Sequence, residues 1–142
     1  MKFSAVYTLA ALVSLALADD TVSYDTVYDN PNGALTSVSC SDGTNGLITK
    51  GYDIFKDLPS FPYIGGVPAV AGWNSPACGS CWELVYPPGD DPEQTIYVLA
   101  IDHALTYNIA LTAMNNLTNG NAIAWGTAPI TATEVAGSFC GL

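Results

Sequence analysis

The chain has 142 residues, three lysines, no arginine and thirteen acidic side chains, for a formal net charge of −10. So acidic a surface cannot neutralise phosphates, which excludes nucleic acid and anionic membranes as partners. Apolar residues make up 49% of the sequence, enough for one core in one compact domain and too many for a disordered chain.

The N-terminus reads as an export signal. Lys2 precedes an apolar run from Phe3 to Leu15, and Ala16-Leu17-Ala18 is a small-x-small cleavage site. The run is shorter than the ~20 residues a membrane span needs. Residues 1–18 are therefore expected to be removed, leaving a single secreted domain over residues 19–142 that continues directly with Asp19 and Asp20.

Residues 21–28, TVSYDTVY, alternate so that Val22, Tyr24, Thr26 and Tyr28 share one face of a strand. Asn30-Pro31-Asn32-Gly33 turns the chain, and ALTSVSC is expected to run extended into Cys40. Ser41-Asp42-Gly43 and Asn45-Gly46 mark the next turn, and residues 53–66 read as irregular. VPAVAGW, CWELVY and TIYVLAIDHA are further strand candidates, the last two separated by the hairpin-like loop at residues 87–92. Residues 96–101 are apolar on both faces, as in a central strand covered on both sides. One helix is expected over residues 108–117, with Ile109, Ala113, Met114 and Leu117 as its apolar face and Thr106 or Asn108 as its cap. ITATEV is the final strand. Six or so short strands with one helix predict a small, mostly-β barrel or sandwich.

Cys78 and Cys81 stand in the spacing C-G-S-C. A redox couple wants such a pair at a helix N-terminus, but WELVY reads as a strand. A metal knuckle wants a second close Cys or His pair, and Cys40, Cys140 and His103 are each isolated. In an exported chain the four cysteines are two disulfides. A Cys78–Cys81 bridge would close a tiny loop, and the two cross-connected patterns both remain open at this point.

The segments YDNPNGAL, CSDGTNGLITKGY, FPYIGGV, GWNSPACGSCW, VLAIDHA and AMNNLTNG, in this order and with a terminal CGL, resemble the cerato-platanin family of small secreted fungal proteins. The resemblance implies a six-stranded double-psi β-barrel with short helices, related in fold to expansins and certain endoglucanases. It implies disulfides Cys40–Cys78 and Cys81–Cys140. It also implies a protein of the medium and the fungal wall that binds chitin or N-acetylglucosamine oligomers. No cofactor and no bound metal are expected. A plant cell-surface receptor is a further implied partner, since members elicit plant defence. The chain itself is expected to be a monomer or weakly self-associating. Expansin-like loosening, weak glycosidase activity and surface-active self-assembly are the alternative readings.

Hydrolysis of a glycoside needs two facing carboxylates. The resemblance implies that Asp102, at the end of VLAIDHA, sits where an expansin-type barrel places its groove aspartate, although the flanking His-Phe-Asp pattern is replaced here by Ile101-Asp102-His103; Asp25, Asp42 and Asp53 stand in no catalytic motif. His103 follows Asp102 and on a strand points to the opposite face, so it reads as a satisfied surface histidine. The protein is therefore expected not to be an enzyme. Sugar binding in a shallow groove wants planar rings and polar partners, drawn from Tyr24, Tyr28, Tyr52, Tyr63, Trp73, Tyr107 and Trp125 with Asn74, Asn108 and Asn119. Trp82, beside Cys81, reads as core packed on a disulfide. The expected carbohydrate-binding set is Asp102, Tyr28, Asp42, Gly43, Tyr52 and Asn108. Asn116-Leu117-Thr118 is an N-glycosylation sequon at the expected helix end.

Overall fold

A computed structural model describes residues 20–87 and 93–142. The expected export signal and most of the loop at residues 87–92 lie outside the described residues. Six strands, β1 (Asp20–Tyr24), β2 (Ile64–Val67), β3 (Cys81–Tyr86), β4 (Gln94–His103), β5 (Tyr107–Ile109) and β6 (Thr127–Val135), close into a barrel in the order β1-β5-β2-β4-β3-β6. Two short helices, α1 (Leu111–Leu117) and α2 (Ala122–Trp125), follow β5. The pairs β1–β5 and β2–β4 are parallel and the other four antiparallel.

β4 is the longest strand and has a neighbour on each side, so its apolar run faces the interior and the covering loops at once. Residues 98–101 are all fully buried, as the double-sided apolar pattern predicts. Closure leaves this strand no edge on which to aggregate. Gly65 and Gly66 let β2 squeeze between β4 and β5. A Cβ on Gly65 would lie 2.3 Å from the Asn108 carbonyl oxygen and 2.7 Å from the Ile109 Cα. The ladder to β4 slips here, pairing Gly65 with Ala100 but Gly66 with Asp102. Ile101, skipped by the bulge, accepts the Cys40 N–H at 3.1 Å instead. The bulge thus docks the 39–46 loop against the end of β4.

Several expected elements differ from those observed. β1 stops at Tyr24, because Asp25 caps a 3-10 helix over Thr26–Asp29 by accepting the Val27 N–H at 3.0 Å. Tyr28 therefore leaves the strand face it was expected to share with Val22. The stretch before Cys40 is not extended throughout: Leu35–Ser37 forms a 3-10 turn. The strand near VPAVAGW is Ile64–Val67 instead, inside the stretch expected to be irregular, and Pro68 ends it by offering no N–H. The helix expected from residue 108 begins at Leu111, since Tyr107, Asn108 and Ile109 are taken into the barrel by pairing with β1 and β2.

Neither expected helix cap is used. Asp29 supplies it from 82 residues away, its Oδ2 accepting the Leu111 N–H at 2.7 Å. Its Oδ1 accepts the Thr112 N–H at 2.9 Å and the Thr112 hydroxyl at 2.7 Å.

The disulfides are Cys40–Cys78 and Cys81–Cys140. One ties the 39–46 loop to the turn before β3, and the other ties β3 to the C-terminus. Trp82 is half-buried and packs on Tyr107 with ring centroids 5.7 Å apart.

Candidate carbohydrate-binding surface

The site forms at the C-terminal end of β4. Asp102 accepts three hydrogen bonds there: from the Tyr28 hydroxyl at 3.0 Å, the Ser39 N–H at 3.0 Å and the His103 N–H at 2.9 Å. A carboxylate has about four acceptor positions, so one remains for a ligand hydroxyl. Burial, then the charge of Asp102 and the hydrogen bond to it, hold the Tyr28 phenol well above its ordinary pKa of 10.0, with Asp25 adding a smaller push. Tyr28 is thus a neutral donor locked onto a charged acceptor. His103 turns away from this cluster, as alternation predicts, and its Nδ1 meets the Val70 carbonyl.

Asp102 belongs to a polar row running across four strands. Ser23 on β1 is level with Asn108 on β5, Asn108 with Gly66 on β2, and Gly66 with Asp102 on β4. The Ser23 hydroxyl donates to Asn108 Oδ1 at 3.0 Å. Their chain neighbours Val22, Ile109 and Ile101 are fully buried, so the row faces away from the core. Asn108 and Asp102 have backbones two strand spacings, about 9–10 Å, apart. Gly66 between them is buried, and a Cβ on it would lie 2.8 Å from the Ala104 Cβ and 3.1 Å from the His103 carbonyl oxygen, so residues 103–104 cover the row at this point.

The second half of the surface is built by the 39–46 and 67–78 loops. Asp42 is three residues from Ser39, at most about 10 Å of chain, and its carboxylate accepts the Trp73 indole N–H at 2.7 Å. That bond holds the ring by its edge. Trp73 is 64% exposed, so it offers ring surface to solvent. Gly43 serves the same contact through its backbone. It has φ +84°, and a Cβ there would lie 2.6 Å from Asn74 Oδ1 and 3.1 Å from the indole. Asn74 completes the join, accepting the Asn45 N–H on its side chain at 2.9 Å and the Asn45 amide on its carbonyl at 3.0 Å.

The expected residues thus fall into different roles. Asp102, Tyr28 and Asn108 share the polar row or touch it. Asp42 and Gly43 position Trp73. Tyr52 is half-buried against the core, and its backbone N–H goes to the Leu47 carbonyl. Ser39, Ser23 and Gly66 were not anticipated. Serine and glycine carry no signal of their own; the strand register aligns Ser23 and Gly66 with the row, and the docked 39–46 loop brings Ser39 to Asp102. No group of three or more His, Cys, Asp or Glu suited to a metal occurs among the described residues.

Fold and surface together define a small disulfide-stapled β-barrel with a shallow, acidic, aromatic-bearing face at one end of its central strand. The cerato-platanin family model matches residues 20–142, and the chain belongs to that family, whose members are secreted fungal proteins. It is 44% identical over 150 residues to the heat-stable 19 kDa antigen of Coccidioides immitis, covering 100% of this chain and 99% of the relative. The crystal structure of cerato-platanin 1 from M. perniciosa superposes with a TM-score of 0.80 at 45% identity, covering 84% of this chain and 98% of that one. The solution structure of the fungal elicitor cerato-platanin matches with a TM-score of 0.73 at 31% identity, covering 84% and 95%.

Proposed function

We propose that this chain is a secreted, non-hydrolytic protein that binds N-acetylglucosamine oligomers at the surface around Asp102 and Trp73. In this reading it acts in remodelling the fungal wall and in eliciting plant defence. The carrying observation is the exposed Trp73 ring, held at its edge by Asp42 on the same loop whose Ser39 N–H bonds Asp102. A pyranose ring stacks on indole, while Asp102 and Asn108 take hydroxyl and acetamide hydrogens. Asp102 is engaged by three donors, Asp25 by the Val27 N–H and Asp42 by the Trp73 indole, which supports a reading without hydrolysis. A related protein described as a fungal elicitor shares the fold, which supports the defence role.

Calorimetric titration of chitin hexamer with an assay for new reducing ends tests this. Binding without release of reducing ends is expected. Trp73→Ala should weaken binding by about 1–2 kcal/mol, roughly 5- to 30-fold. Reducing ends released in proportion to protein, and lost in Asp102→Asn, would establish the glycosidase alternative. A second reading, surface-active self-assembly, is favoured by the apolar side chains of Leu105 and Ile123, exposed by 91% and 67%. A fall in surface tension at dilute concentration checks it.

A further inference from the structure

A second concavity lies at the opposite end of β4, about five residues and therefore some ~17 Å along the strand from Asp102. This groove of about 480 Å³ is lined by Phe61, Tyr63, Thr95, Tyr97 and Phe139 among others, and no lining residue is charged. Phe139 is 56% exposed, and its ring stacks on Tyr97 with centroids 4.9 Å apart and planes 22° apart. The turn that carries it is fixed by the Cys81–Cys140 disulfide and by the Leu142 N–H on the Gly137 carbonyl at 3.0 Å. A rigid aromatic wall with hydroxyls at its rim, in a strongly acidic protein, suits a neutral ring-shaped ligand.

The sequon meets this groove. Asn116 is exposed on α1, and its Nδ2 donates to the Tyr63 hydroxyl. The nitrogen that would carry a sugar therefore touches a wall of the groove. Thr118, the third sequon residue, is only 1% exposed, and its hydroxyl donates to the Met114 carbonyl at 2.7 Å. In the folded protein that hydroxyl is unavailable to a glycosyl transferase.

We propose that Asn116 carries an N-linked glycan, added during export before α1 forms, whose first N-acetylglucosamine ring lies in the groove against Tyr63 and the Tyr97–Phe139 pair. The donor is a lipid-pyrophosphate-linked oligosaccharide. The bond from the anomeric carbon to the pyrophosphate oxygen breaks with its electron pair going to that oxygen, the bond from the carbon to Nδ2 forms, Nδ2 loses one proton to solvent, and the lipid pyrophosphate departs as the anion. The amide keeps its second N–H, which is enough to retain the hydrogen bond to Tyr63. The groove's occupant is thus a tethered part of the molecule, independent of the surface around Asp102.

The test secretes the full chain from a eukaryotic host and compares intact mass and peptide maps before and after an amidase that removes N-glycans. Glycan at Asn116 is expected, absent from Asn116→Gln; an unmodified Asn116 in the secreted protein overturns the proposal. With isotopically labelled sugar, the acetamide methyl of the first ring should shift upfield and show contacts to Tyr97 and Phe139. Phe139→Ala should keep the glycan and lose the shift. An attached glycan with the shifts of free sugar, the same in wild type and Phe139→Ala, overturns its placement in the groove. The timing is read by offering transferase and donor to unglycosylated full-length protein. The reduced, unfolded chain should be modified and the folded chain not; equal modification of both overturns the order proposed.

Discussion

Asp102 holds Tyr28, Ser39 and His103 through one side chain, so its substitutions separate structure from binding. Asp102→Ala leaves three donors without an acceptor and should lower stability by about 2–3 kcal/mol in urea unfolding. Asp102→Asn is gentler. Its Oδ1 can accept both N–H groups while its Nδ2 donates to the Tyr28 oxygen, so the cost should stay below about 1.5 kcal/mol. Asp102 could be picked out in the sequence because it ends the most apolar strand. Tyr28 was expected in the same set, but its bond to Asp102 across 74 residues, and that of Ser39 across 63, could not be read from local pattern. Asp42 and Gly43 were legible as turn residues, but their service to Trp73 depends on a contact across 31 residues.

At the level of elements, the helix α1 shows where local pattern stops informing. Its apolar face at Ala113, Met114 and Leu117 was legible and is buried. Its start was not, because Tyr107–Ile109 has the same residue types and only pairing with β1 and β2 makes it a strand. The strand expected over residues 21–28 failed for a related reason. Alternation at Val22, Tyr24, Thr26 and Tyr28 satisfies a strand, while Asp25 carries a competing capping signal that wins once its N–H is bonded to the Ile109 carbonyl. That turn brings Asp29 to the helix. Asp29→Ala should therefore destabilise the protein by about 1–2 kcal/mol and speed amide exchange at Leu111 and Thr112. Unchanged exchange at those two amides would show that the cap contributes nothing.

For the whole molecule, composition and strand count pointed to a mostly-β barrel or sandwich, and the family resemblance supplied the choice of barrel and the disulfide pairing. The strand order was hidden from local pattern, because pairing β1 with β5 in parallel requires the whole intervening chain to fold back. The two disulfides, spanning 38 and 59 residues, should each stabilise the fold by roughly 4 kcal/mol in the chain-entropy model. Alkaline pH tests the barrel's closure. Burial, followed by the charges of Asp20 and Glu134, pushes Tyr107 up from 10.0 to about 12. The folded state holds this proton more tightly than the unfolded chain, so the contribution is complete below pH 10 and lost as pH rises to about 12. Stability should fall across that window, with Tyr28 adding to the loss. Tyr107→Phe should flatten the fall.

The central claim is that the surface around Asp102 and Trp73 takes an uncharged sugar chain. Titration of chitin oligomers into isotopically labelled protein tests it most directly. The account predicts saturable shifts at the Trp73 indole N–H, the Asn108 side-chain amide, and the backbone amides of Ser39 and His103, with Phe139 and Gly141 unmoved. Saturable shifts confined to Tyr97, Phe139 and Gly141, or none at the first four groups at saturating oligomer, would contradict it.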